Sequence, residues 1–254
     1  MTKYSALLLA GSRPGRDAFA EMYGAELKAL IPVAGEPMVL RPLRALLGSG
    51  RVESVRILTQ KPEKIAPVLP DDDRWSVEPS SGTIAETLEA ICKAEHMRWP
   101  LLVTTADHAL LDSAMIGQFC READGADLAI GVVTRSALQK RLPQSRRTWI
   151  ALRRGKYTGA NLFAFGGPEA MRAVELWREV EQDRKKGWRL LLALGWPGLL
   201  GLLRLRTLDQ TLDAMGRKLG LSLRAVRLDD PLAAVDVDKP QDHELVTAIL
   251  DRRA

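Results

Sequence analysis

Apolar residues along the chain come in two rhythms. Short continuous runs, "SALLLA" at 5–10, "VESVRILTQ" at 52–60, "PLLVTTAD" at 100–107 and "ADLAIGVVT" at 126–134, have the length and composition of strands. Between them lie segments with helical spacing. "PMVLRPLRALLGSG" (37–50) opens on Pro and closes on Gly. "TIAETLEAICKAEHM" (83–97) places Ile84, Leu88, Ile91 and Cys92 on one face. "DSAMIGQFCREA" (112–123) has Asp112 where an N-cap belongs. "WSVEP" (75–79) is a weaker strand. Strands with continuous apolar stretches, alternating with helices, predict an α/β fold with a mostly parallel sheet covered on both faces.

The second half reads differently. "TWIALRRGKYTGANLFAFGG" (148–167) predicts two strands around a basic turn, and 168–220 a helical insertion or cap rich in Arg, Leu and Trp. "LSLRAVRL" (221–228) is a late strand. "AAVDVDKPQDHELVTAIL" (233–250) predicts a strand tip, an acidic turn and a closing helix. With no linker or repeat, 1–254 is expected to be a single domain.

Composition narrows the classes. Two cysteines without metal spacing exclude a disulfide framework and point to a reducing cytoplasm. The first apolar run stops at Gly11, too short for a signal peptide. Gly195, Pro197, Gly198 and Gly201 break the apolar tract 188–206, which argues against a spanning helix. A net charge of +5 suits an anionic substrate, a membrane surface or plain solubility. Aromatics at 5% give no stacking platform for nucleic acid. The basic, Trp-bearing stretch 184–206 raises peripheral contact with an anionic membrane, a helical cap or a homodimer face as alternatives.

In a parallel sheet, ligands bind beyond the carboxyl ends of the strands. Three polar clusters stand there. The loop after the first strand carries Gly11, Ser12, Arg13, Gly15, Arg16 and, further on, Lys28. Glycines admit phosphate to backbone N–H groups, and guanidinium forks match phosphate oxygens. The loop is neither a Walker A nor a G-x-G-x-x-G motif, and by itself it is equally a connection. Asp107 ends an apolar strand as a metal ligand or a turn residue, with His108 at the rim beside it. In an extended segment Asp236 and Asp238 share a face and, with Asp107, offer oxygen ligands for Mg²⁺. Histidines at 96, 108 and 243 form no zinc cluster.

"LLAGSRPGR", Lys28, "VAGEPM", "TTAD" and "DVDKPQDHEL" follow one another on these elements. In that order they resemble the GT-A-type nucleotidyltransferases, in the MobA-like branch similar to the molybdenum-cofactor guanylyl- and cytidylyltransferases. The resemblance covers residues 5 to about 134 and 221–250. It implies a Rossmann-like GT-A sheet and Mg²⁺-dependent transfer of a nucleoside monophosphate from an NTP, CTP or GTP foremost, to a small phosphorylated acceptor. Pyrophosphate is the product. It implies a triphosphate loop of Leu9, Ala10, Gly11, Ser12, Arg13 and Arg16, with Arg13, Lys28 and Asp107 catalytic. Ser81, Gly82 and Thr83 would line the nucleobase, and Asp107, Asp236 and Asp238 the metal. Gly159 and Asn161 would face the acceptor. Ser12 in place of a second glycine and the long insert 17–27, read as a flap, depart from that pattern. A GT-A glycosyltransferase and a non-catalytic nucleotide-binding protein are the competing classes.

Overall fold

The computed structural model describes residues 2–11, 15, 17–80, 84–92, 97–145, 147–175 and 205–253. The stretch 184–206 therefore lies outside the described residues up to 204, as does most of the predicted cap. Among the described residues no helix is long and apolar enough to cross a membrane.

Strand β1 (Tyr4–Leu9) runs at the centre, parallel to β4 (Val52–Thr59) on one side and β6 (Leu101–Thr105) on the other. Beyond β4, β5 (Trp75–Pro79) is parallel too. Beyond β6 the sheet reverses once. The 11-residue β9 (Gly155–Phe165) lies antiparallel to β6 and to β7 (Leu128–Thr134), and β10 (Leu223–Arg227) closes the edge parallel to β7. The order is β10-β7-β9-β6-β1-β4-β5, with the short β8 (Ile150–Leu152) hairpinned onto β9. Apart from β9, all strands of this sheet point the same way, so their carboxyl ends share one rim.

Side-chain alternation shows why the central parallel strands are largely apolar. Tyr4, Ala6 and Leu8 of β1 pack against α2 (Leu40–Gly48) and α5 (Ser113–Ala123). Leu7 faces the other way, onto Leu88 and Ile91 of α4 (Ile84–Cys92) and onto Phe165 and Val174. Successive strand residues serve opposite faces, so both faces demand apolar residues. Burial of the Cys120 thiol on α5 pushes its pKa up to about 12, as expected of a structural cysteine rather than a nucleophile.

Two local expectations are corrected. The helix expected from Pro37 begins at Leu40 because "IPVAGEP" instead forms a hairpin of β2 (Pro32–Val33) and β3 (Glu36–Pro37). Its two loop residues, Ala34 and Gly35, both have positive φ, the geometry that a tight two-residue hairpin needs. The strand tip expected at 233–238 is absent. Pro231–Ala234 is a 3₁₀ turn and 235–238 runs extended without a sheet partner. After it, α8 (Pro240–Asp251) forms as expected.

Candidate active site

Lys28 opens a 3₁₀ turn, Lys28–Leu30, with Leu27 and Ala29 buried on either side of it. Those two anchors leave the lysine stem no course but outward to the rim. Its ammonium lies 2.7 Å from Asp107 Oδ2 and 2.6 Å from Asp238 Oδ1. Asp107 follows the end of β6. Thr105 Oγ1 donates to its other carboxylate oxygen, and its carbonyl accepts from Val237 N–H at 3.0 Å. That backbone bond brings the segment 236–238 to the end of β6, so residues 28, 107 and 238 meet although they are remote in sequence. Burial alone would lower the Lys28 pKa. The two carboxylates outweigh it and hold the ammonium above the usual lysine value.

Asp236, unlike Asp238, stands outside this cluster. The Asp236 carboxylate takes Arg147 on one oxygen and Asn161 Nδ2 at 3.2 Å on the other. A second Arg147 nitrogen binds the Asp236 carbonyl at 3.0 Å, and Asp242 stands 3.9 Å from that guanidinium. Asp242 also accepts from the Asp238 N–H at 3.2 Å. Arg147 escaped the sequence reading because an arginine in a basic loop carries no periodic signal.

Asn161 owes its position to a bulge. Ile130 and Val132 of β7 pair with Phe163 and Gly159, so 160–162 of β9 oppose Gly131 alone. Asn161 takes φ +48 there, a conformation that asparagine tolerates better than most residues. On β9's other edge β6 covers 163–165 and β8 covers 155–157, leaving the bulge between them. Gly159 is exposed at this gap and Asn161 reaches Asp236 from it.

On the far side of Lys28, Leu9, Ala10 and Gly11 leave β1 at the same rim. Ala10 is buried, its N–H bonded to Leu58 O at 2.8 Å. A Cβ on Gly11 would sit 2.8 Å from the Gln60 amide, so a larger residue would displace that side chain. Ser12, Arg13, Arg16, Ser81, Gly82 and Thr83 lie outside the described residues. The insert 17–27 is a short helix, α1 (Ala18–Met22), capped by the Asp17 carboxylate. Two contacts tie its C-terminal half down. Tyr23 stacks on His243 of α8 at 4.3 Å, and Glu26 pairs with Lys61 and Lys64 at 2.9 and 2.6 Å.

His108, expected at the rim, is 1% exposed. Burial is the main reason its pKa falls to about 4, so the ring is neutral near pH 7. Among the described residues no group of three or more His, Cys, Asp or Glu side chains forms a metal site. Asp107 and Asp238 converge on one cation, the lysine.

A mostly parallel sheet of this order, with Gly11 after its first strand and a lysine between two carboxylates at the carboxyl rim, defines an α/β protein with charged groups where such sheets bind their ligands. The chain belongs to the MobA-like NTP transferase domain family, whose signature matches residues 6–194, and it is a nucleotidyltransferase. Among solved structures it is similar to a hypothetical transferase from Thermus thermophilus, at 31% identity and a TM-score of 0.79 over 95% of this chain and 100% of that one. It also shares its fold with 4-diphosphocytidyl-2C-methyl-D-erythritol synthase of Anaerococcus prevotii, at 10% identity and TM-score 0.62 over 99% of each chain. A third is a CMP:2-keto-3-deoxy-manno-octonic acid synthetase in complex with CTP, at 13% identity and TM-score 0.63 over 100% of each. No curated protein matches the sequence.

Proposed function

We propose that this enzyme transfers a nucleoside monophosphate from CTP or GTP to a small phosphorylated acceptor. An oxygen of the acceptor phosphate attacks the α-phosphorus, the bond to the bridging α,β oxygen breaks, and pyrophosphate leaves. The observation that carries this reading is Lys28, held between Asp107 and Asp238 at the rim where β1 and β6 end. Two of the structural neighbours are named for cytidylyl chemistry, and one was solved with CTP, which makes CTP the first donor to test.

The fold family implies Mg²⁺. The chemistry of the donor set fits it in part. Asp107 and Asp238 place one oxygen each on a single cationic point, and Mg²⁺ binds through one or two carboxylates plus phosphates and water. Asp236 does not fit, because Arg147 and Asn161 occupy both of its oxygens, and we assign it to scaffolding. When bound, the ion would neutralise phosphate charge. Lys28 stabilises the charge that develops on the phosphate in flight, which requires that its ammonium turn from the carboxylates to the phosphate oxygens. Gly11 keeps the turn after β1 open to the triphosphate, and Asp107 and Asp238 hold Lys28 charged until the substrate arrives.

The test is pyrophosphate release from each of the four NTPs, with Mg²⁺ and a panel of phosphorylated sugars and polyols. Lys28→Met should lower kcat by about a hundredfold or more, the usual loss when a transition-state charge partner is removed, with far-UV circular dichroism unchanged. Near-normal turnover in a folded Lys28→Met protein would remove Lys28 from the chemistry. No release with any NTP would remove the reaction itself.

A further inference from the structure

A cavity opens at the same rim as Lys28, on its β7 side. It measures about 570 Å³ and is lined by Arg135, Gln139, Gln144, Ser145, Arg147 and Trp149. That volume suits a small molecule rather than a macromolecule. Its place follows from the sheet. Helix α6 (Arg135–Arg141) leaves the carboxyl end of β7, Thr134 capping it by accepting from the Ala137 N–H. β7 points the same way as β6 and β1, so Arg135 stands at the rim on which Gly11 and Asp107 stand. The proposed triphosphate loop lies at β1 and the cavity at β7, with the Lys28 cluster between them.

The lining is cationic and hydroxyl-seeking. No acidic side chain lines the cavity among the described residues. Arg147 is already balanced by Asp236. Arg135 is not: its Nε donates to Gln139 Oε1 at 2.9 Å, and among the described residues no carboxylate forms an ion pair with it. The Gln139 bond orients the guanidinium plane and leaves its outer edge for a ligand. A half-buried Trp149 supplies an apolar wall, and Gln144 and Ser145 supply groups that bind hydroxyls. Arg147 joins this cavity to the reacting centre, since it grips Asp236 two residues from Asp238.

We infer that the cavity holds the body of the acceptor and that Arg135 binds a second anionic group on it. The acceptor is then a small polyhydroxylated molecule with two anionic groups, the phosphate that attacks and a phosphate or carboxylate at the other end. This assignment rests on the nucleotidyl-transfer reading, whereas the anion site itself does not.

The experiment is ¹⁹F NMR on protein carrying 5-fluorotryptophan, with the Trp149 resonance identified from Trp149→Phe. Inorganic phosphate and acetate are titrated separately, and the one that moves Trp149 more tightly names the anion. In Arg135→Gln the midpoint should weaken about tenfold to a hundredfold, the worth of one hydrogen bond to a charged group. Arg135→Lys should recover part of it. The stabilisation of the protein by CTP or GTP should be the same in Arg135→Gln as in wild type. A Trp149 resonance that neither anion moves, or that moves equally in Arg135→Gln, overturns the site. Loss of CTP and GTP stabilisation in Arg135→Gln would give the cavity to the nucleotide and overturn the acceptor assignment. If no NTP stabilises the wild type while the titration still depends on Arg135, the anion site stands and the nucleotidyl-transfer reading fails.

Discussion

Lys28 offers a test in which two ion pairs of nearly equal length should differ in strength. The ammonium is 2.7 Å from Asp107 and 2.6 Å from Asp238, yet the Asp107 side chain is 19% exposed and the Asp238 side chain 61%. At such a distance the attraction is about 6 kcal/mol at an effective dielectric of 20 and about 1.5 in bulk water, before desolvation is subtracted. The Asp107 contact belongs to the first regime and the Asp238 contact lies nearer the second. After desolvation, coupling of about 2 kcal/mol is expected for Lys28–Asp107 and below about 1 for Lys28–Asp238. Double-mutant cycles of Lys28→Met with Asp107→Asn and with Asp238→Asn, read by urea unfolding, isolate the two terms. The weakening of the Thr105 bond once residue 107 is uncharged, common to the single and double variants, cancels in the cycle. The Asp238 coupling should shrink further in high salt, where exposed charges are screened. The lysine pKa is raised above its ordinary 10.5, so this stability is complete below that pH and is lost as pH climbs through the folded value. Lys28→Met should flatten that alkaline limb. Equal couplings, or a larger one for Asp238, would refute the claim that burial ranks these pairs.

His108 should dominate part of the acid limb. Its pKa drops from 6.5 unfolded to about 4 folded, so its contribution is present above pH 6.5 and is lost as pH falls towards the folded value. The shift is worth about 3 kcal/mol in all, and urea midpoints of His108→Gln against pH should lack that component. Gly216→Ala, on α7 (Leu208–Leu219), sets two effects against each other. Alanine favours a helix by about 1 kcal/mol, but its Cβ would collide with the Leu221 carbonyl oxygen. Overpacking costs about 1–3 kcal/mol, so a net loss is expected in the unfolding midpoint, and a gain would show that the α7 C-terminus yields freely. Thr207→Ala removes the capping box of α7, in which Thr207 and Gln210 satisfy each other's backbone N–H. It should cost about 1 kcal/mol by the same measurement.

The parallel half of the sheet was legible because strands buried on both faces must be largely apolar at consecutive positions, as β1, β6 and β7 are. Asp112 was legible as an N-cap because capping is local, and it accepts from Met115 N–H at 2.9 Å. Lys28 and Asp107 stand out in the sequence separately, one by motif order and the other by its strand-end position. Their contact spans 79 residues and no periodicity encodes it. Features set by distant partners stayed hidden. The Ala34–Gly35 hairpin is a turn whose strands have two residues each, too few to alternate. His108 reads as polar and therefore exposed, but the 3₁₀ turn at Pro231–Ala234 packs over it from the other end of the chain. Asp236 reads as a third metal carboxylate until Arg147 is known.

The two carboxylates of "DVD" divide one task. An extended segment outside any sheet has no ladder to hold it, so something else must fix where Asp238 points. Val237 does so from below, fully buried and bonded through its N–H to the Asp107 carbonyl at 3.0 Å. Arg147 does so from the side, gripping Asp236 by both carboxylate and carbonyl. With its neighbours committed to these anchors, Asp238 can remain largely exposed and still meet Lys28. The bulged Asn161 takes the remaining Asp236 oxygen, which ties β9 into the same arrangement. The single antiparallel strand thus has a functional reason. It carries a kink at the rim between β6 and β7, where the Lys28 cluster and the Arg135 cavity come closest in the sheet order.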